Sequence, residues 1–155
     1  MQKQTETQLK AKDIQLVVFR VQNEEFGAEI NSVLEISRML DITRIPESSG
    51  PVEGVINLRG QVIPVLDIAR QFGLNRETAV MSKAARIVIV EVKGERVGLM
   101  VDEVPEVLRI SEEAIEPVPE LTQSKIHRDT IKGVAKIAER LILVVDVKKM
   151  GDFLK

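Results

Sequence analysis

The sequence predicts a mostly β protein assembled from a duplicated unit, as two small packed barrels or one larger sandwich. Three observations lead there. Residues 52–73 (VEGVINLRGQVIPVLDIARQFG) hold two apolar strand-like runs joined at a turn, and residues 133–146 (GVAKIAERLILVVD) repeat them without a gap. Gly54, Val55, Ile63, Val65 and Asp67 fall on Gly133, Val134, Ile142, Val144 and Asp146, whereas Arg59-Gly60 at the turn falls on Ala138-Glu139. A second ungapped echo aligns Val17, Val21, Glu24, Gly27, Val33, Glu35 and Arg38 with Val88, Val92, Glu95, Gly98, Val104, Glu106 and Arg109. Finally, aromatics are 3%, all Phe, so the core must be built from Val, Ile and Leu, and the β-branched residues among them favour strands.

The elements follow in order. Residues 1–13 are polar and predict a flexible tail. Residues 15–21 (QLVVFRV) and 26–30 (FGAEI) are strands around a turn at 23–25, and 31–36 (NSVLEI) is one helical turn running into a strand. The run PESSGP at 46–51 is a loop. Residues 52–66 form the strand–turn–strand unit, both faces of 62–66 being apolar as in a strand covered on two sides. Pro64 cannot donate to a ladder, which places it at an edge or bulge. Asp67 caps a short helix that Gly73 stops, and 75–83 is a connector. The pattern then restarts, with strands at 87–92 and 97–101 around a Lys-Gly-Glu turn and 104–110 continuing the second. Ser111 caps a short acidic turn, 117–129 is irregular, 131–138 and 141–146 form a strand pair, and 147–154 is a terminal helix.

Bulk properties narrow the function. A length of 155 residues suits one domain or two small ones, and a net charge of −2 offers no basic field to recruit nucleic acid or an anionic membrane. No apolar run approaches the ~20 residues that span a bilayer. The polar N-terminus has no signal core, so the expected location is cytoplasmic. The absence of cysteine excludes disulfides, thiolate catalysis and cysteine-bound metal centres. His127, the single histidine, lies in a polar segment with no triad pattern, and one histidine cannot build a histidine-rich metal site. The glycines form neither a phosphate loop nor a dinucleotide fingerprint, and no nucleophile elbow is present. The expectation is no catalytic residue, no cofactor and no metal.

Two residues stand out instead. Arg59 sits at the bend of two stiff apolar strands, with Gly60 supplying the positive φ such a bend needs, and the aligned repeat lacks it. Rigidly presented arginines are frequent interface anchors, and a fork–fork pair with a carboxylate is one use of such a group. Glu35 is a carboxylate among Val33, Leu34 and Ile36; it is an outward strand position, a partner for Arg59, or a polar rim residue beside an apolar recognition groove.

The segments GVINLRGQVIPVLD, VLEI and VGLMVDEVPEVL together resemble the CheW family of chemotaxis coupling proteins, over nearly the whole chain from about residue 14. The resemblance implies two five-stranded SH3-like β-barrel subdomains with short helices, roughly 14–80 and 84–150, with strands able to cross between them. It implies a non-enzymatic adaptor. Its partners would be the cytoplasmic tip of methyl-accepting chemoreceptors and the regulatory domain of the histidine kinase CheA, with no nucleic acid and no direct membrane insertion. Receptor-facing positions of the family map to Val33, Glu35, Arg59, Gly60, Val104 and Val107, and Gly54 matches a position that tolerates little bulk. A paralogue serving another chemosensory system, or a small-ligand-binding β-barrel module, are the alternatives.

Overall fold

The computed structural model describes residues 12–46, 52–72, 74, 82–118 and 130–150. The expected tail up to residue 11, most of the 46–51 loop, the helix stop at Gly73, most of the connector, His127 and the end of the terminal helix lie outside these residues. The described strands are β1 (Asp13–Val21), β2 (Glu24–Glu29), β3 (Val33–Arg38), β4 (Val52–Leu58), β5 (Gln61–Asp67), β6 (Arg86–Val92), β7 (Glu95–Val101), β8 (Glu103–Ser111), β9 (Ile115–Glu116), β10 (Ile131–Ile137) and β11 (Arg140–Val145). Short helices α1 (Ile68–Gln71) and α2 (Val147–Met150) follow β5 and β11, and 3-10 turns at Ile30–Ser32 and Glu112–Ala114 follow β2 and β8. The expected caps form: Asp67 accepts from the Ala69 amide at 3.0 Å, and Ser111 from that of Glu113 at 3.2 Å.

The strands make a six-stranded sheet ordered β8-β1-β2-β11-β10-β9 and a five-stranded sheet ordered β3-β6-β7-β5-β4. Under the two sequence echoes β1, β2, β3, β4 and β5 correspond to β6, β7, β8, β10 and β11, and exchanging the labels turns one order into the other. Each sheet therefore takes its central hairpin from one copy of the repeat, and its first strand and second hairpin from the other. Even β9 has a counterpart. Glu116 pairs with Val134 in one sheet, and Thr43 bridges the aligned Val55 in the other.

The two closed five-stranded barrels expected from the resemblance are not present. The first and last strands of each sheet are not hydrogen-bonded to each other, so both sheets are open. Barrel closure needs a continuous staggered ladder around the ring. Here the outer edge of β10 is occupied by β9 and that of β4 by the Thr43 bridge, with backbone bonds of 2.8 and 2.9 Å to Val55. Those short segments cover edges that a returning strand would need. Nor does 104–110 continue the strand before it. The chain leaves β7 in the five-stranded sheet, turns at Asp102, and enters β8 in the six-stranded sheet beside β1. The Asp102 amide bonds to the Arg20 carbonyl at 2.9 Å, and its carboxylate accepts from the Gln22 amide at 2.7 Å. An unbroken apolar pattern carries no mark of such a crossing.

The core has three layers. Alternate residues of β6 face opposite ways: Ile87 and Ile89 join Ile56, Ile63, Val65 and Met100 inside the five-stranded sheet, while Val88 and Val90 enter the central layer between sheets. The six-stranded sheet has its own inner layer of Leu16, Val18, Ile110, Ala135, Ile142 and Val144. Two-sided burial explains the near-continuous aliphatic runs. The central layer also takes Ile68, Ala69, Val147 and Met150 from the helices, and a stack of Phe19, Phe26 and Phe72 with centroids 5.7 and 5.0 Å apart. No helix among the described residues is long and apolar enough to cross a membrane.

Candidate functional site

The β4–β5 connection is a two-residue turn in which Arg59 has φ +49° and Gly60 φ +88°. Positive φ at both positions is the type I′ requirement, and it matches the twist of the flanking strands. Gly60 meets it freely, whereas for arginine the left-handed region is a strained conformation. The Asn57 side chain steadies the turn by accepting from the Gly60 amide at 2.8 Å. Leu58 and Ile63, buried at the ends of the hairpin, fix its direction.

Arg59 reaches Glu35. One guanidinium nitrogen donates to Glu35 Oε2 at 3.2 Å and the other to Oε1, a fork–fork pair. Its position matters more than its proximity. Glu35 is on β3, the first strand of the five-stranded sheet, and Arg59 is at the tip of its last two, so the pair spans the seam that no ladder closes. Glu35 lies on the inward side of β3 with Val33, while Leu34 and Ile36 point outward at 45% and 42% exposure, leaving aliphatic surface beside an ion pair. The outward position considered for Glu35 is thus taken by its neighbours. The hydrogen bonds from Arg59 hold the Glu35 carboxyl below its ordinary range, against partial desolvation, and the Arg96 charge adds a smaller push. Glu35 in turn raises the Arg59 guanidinium.

Gly54 is buried on β4 where the Thr43 segment crosses, and a Cβ there would stand 2.3 Å from the Thr43 carbonyl oxygen. Its role is to let another backbone approach, and so to hold the edge of the strand that carries Arg59. Val33 and Val104, at the starts of β3 and β8, both pack against the central layer. Val107 is on the opposite side of β8 and 47% exposed. The structure therefore brings Glu35, Arg59 and Gly60 together, joins Val33 and Val104 through the central layer, and leaves Val107 on the six-stranded sheet.

The six-stranded sheet has its own clasp. Arg140, at the start of β11, donates to both oxygens of Glu25 at 3.1 and 2.9 Å and to Glu106 at 2.8 Å. Glu106 is the aligned counterpart of Glu35, so each sheet carries a carboxylate on its first strand and clasps it with an arginine. The arginine comes from a different position in each. Sequence reasoning missed Arg140, because the alignment puts Gln61 rather than Arg59 against it.

Comparison with known proteins agrees with this architecture. The family model described as a CheW-like domain matches residues 15–153. The chemotaxis protein CheW of Rhizobium meliloti is 35% identical over 86% of this chain and 84% of its own length. The probable chemotaxis protein CheW of Rhizobium etli is 34% identical over 89% and 87%. The crystal structure of the scaffolding protein TtCheW from Thermoanaerobacter tengcongensis superimposes with a TM-score of 0.79 at 38% identity, covering 87% of this chain and 85% of that one. A family match running from β1 through α2, with relatives more than 30% identical over most of both chains, establishes that this chain belongs to the CheW family.

Proposed function

We propose that this chain is a non-enzymatic adaptor that couples chemoreceptors to the histidine kinase CheA in chemotaxis signalling. The observation that carries the reading is the Glu35–Arg59 clasp, an exposed bidentate ion pair mounted on a strained turn beside the aliphatic side chains Leu34 and Ile36. Family membership supports it. The surface beside Val33 and Val104 accepts the helical tip of a receptor hairpin, with Glu35, Arg59 and Gly60 at the rim and Val107 on the adjoining sheet. Gly54 keeps the β4 edge in place beneath them. The kinase is engaged through its regulatory domain. Receptor state reaches the kinase only if the two states of the receptor tip contact this surface differently, because equal affinity for both would shift nothing.

The test is Arg59→Ala. The side chain is two-thirds exposed, so the variant folds; it should lose co-sedimentation with receptor-containing membranes and kinase. Unchanged co-sedimentation at wild-type affinity overturns the assignment of this surface.

A further inference from the structure

The repeat provides an internal control for where a partner docks. In the six-stranded sheet, parallel pairing of β11 with β2 starts at Leu143 and Phe26. In the five-stranded sheet the aligned residues are Pro64 and Val97, and pairing of β5 with β7 starts only at Val65 and Gly98. Pro64 has no N–H to give to a ladder, so pairing begins a residue later. A cleft opens between the two strands, lined by Gln61, Val62, Ile63, Pro64, Glu95 and Arg96.

What spans the split also differs. In the six-stranded sheet it is zipped by the bidentate Arg140–Glu25 pair, Arg140 being bound to Glu106 as well. At the aligned positions the five-stranded sheet has Gln61 for Arg140 and Arg96 for Glu25, joined by a single hydrogen bond of 2.9 Å. The cross-strand pair Arg20–Glu25 is matched by Glu91–Arg96, the same charges in reversed order. Glu91 stands opposite Arg96 on β6, yet Arg96 makes no ion pair among the described residues, and its hydrogen-bond partner is the neutral Gln61 amide. Beside it Val62 is 73% exposed, the most exposed large aliphatic side chain of the described strands.

We infer that Val62 and Arg96 form the seat for a segment of a partner protein that carries an aliphatic side chain next to a carboxylate. The aliphatic group covers Val62, and the carboxylate displaces the Gln61 amide from Arg96, exchanging a neutral hydrogen bond for a charge-assisted one. The aligned surface at Leu141 is exposed too, at 62%, but the neighbouring Arg140 already holds two carboxylates, so its charge is compensated and draws an acidic segment less than Arg96 does. Pro64, Gln61 and Arg96 thus make the two ends of a pseudo-symmetric molecule choose different partners. The seat rests on the adaptor reading for its partner but not on the Glu35–Arg59 surface.

Two measurements test it on the assembled receptor–kinase–adaptor complex. A photo-cross-linking residue at position 62 should attach to a segment of receptor or kinase with Asp or Glu within two residues of a Leu, Ile, Val or Met. Arg96→Glu should weaken binding of that same partner roughly tenfold, and replacing the partner's acid by Lys should restore it. Arg96→Glu is an exposed strand substitution, and an unchanged thermal melt confirms that it folds. Cross-linking to a basic segment, to a second copy of this chain or to nothing overturns the seat, as does unaltered binding by Arg96→Glu. If Arg59→Ala abolishes coupling while Arg96→Glu does not, the seat fails and the adaptor surface stands; because the Arg96 charge also acts on Glu35, a loss with Arg96→Glu supports the seat only where Lys at the partner's acid restores binding, and a loss that Lys does not restore overturns it.

Discussion

Arg59 donates to both carboxylate oxygens of Glu35, and the strands that carry them stand at opposite ends of one open sheet. A backbone ladder would have closed that seam permanently. A side-chain pair closes it conditionally and leaves both groups able to meet a partner. The described turns with two positive-φ residues are Arg59-Gly60 and Lys93-Gly94, and the turn aligned with the first has Ala138 in place of the arginine.

The pair should titrate as a unit. Glu35 has an ordinary value of 4.5, and the Arg59 hydrogen bonds lower it in the folded protein. A depressed carboxyl contributes stability that is complete above the unfolded value and is lost as pH falls through the folded one. The clasp is therefore intact across neutral pH and opens only below the ordinary carboxylate range. Carbon-detected NMR titration of the Glu35 carboxyl should give a midpoint below 4.5 that rises in Arg59→Ala. Identical midpoints in the two proteins would show that the pair does not persist in solution.

Arg59 should show a separation of stability from binding. Its φ of +49° favours glycine over any residue with a Cβ. Arg59→Ala and Arg59→Gly both remove the guanidinium, and both should lose receptor coupling to the same degree. The glycine variant should nevertheless melt higher than the alanine variant by roughly 2–4 °C, the shift expected for relief of one strained residue in a chain of this size. Calorimetry on the two variants reads the difference. Equal melting temperatures would mean that the turn relaxes when the clasp is gone.

How far these features were legible depended on the kind of interaction. Hairpins, caps and the duplication are local or periodic, and residues such as Asp67, Ser111 and Gly60 announce them by type. The two-sided burial of β5 was visible in Val62–Leu66 being apolar on both faces, although the outermost residue of that run, Val62, stays exposed. Sheet membership was not visible. The chain passes from β7 to β8 with only Asp102 between them, and an aliphatic strand looks the same in either sheet. Closure was not visible either, because the Thr43 bridge and the two-residue β9 that cover the sheet edges are too short to leave a pattern. Arg59 was legible as an anomaly, being absent from its repeat. Arg140 and Arg96 were not, since their significance comes from partners 115 and 35 residues away in sequence.

Gly54 should be nearly irreplaceable for a reason unrelated to flexibility. A Cβ would stand 2.3 Å from the Thr43 carbonyl oxygen and 2.9 Å from Ile42 Cγ2, so backbone must move. Gly54→Ala should cost about 1–3 kcal/mol, as overpacking does. The displaced segment would lose the paired bonds between Thr43 and Val55, so both amides should exchange faster with solvent. Denaturant unfolding with amide exchange checks both. Loss of stability with Thr43 still protected would mean that the strain is taken up elsewhere.

The Arg140 clasp, unlike Arg59, should matter mainly for stability. Its hydrogen bonds to Glu25 pull that carboxyl below its ordinary value of 4.5, against desolvation, and the Glu25 side chain is only 17% exposed. Arg140→Ala would leave a largely buried carboxylate without its principal partner at neutral pH, at a cost of about 1–3 kcal/mol. The sign of the pH dependence distinguishes this from lost packing. Because the folded value is depressed, the wild-type advantage is complete above 4.5 and disappears as pH falls through the folded value, where Glu25 is neutral in both proteins. Urea unfolding at pH 7 and again at the lowest pH where both remain folded should therefore show the gap between wild type and Arg140→Ala narrowing. Arg140→Lys, which keeps the charge but not the fork, should fall between them. A gap that stays constant with pH would assign the loss to the aliphatic stem of Arg140 rather than to its charge.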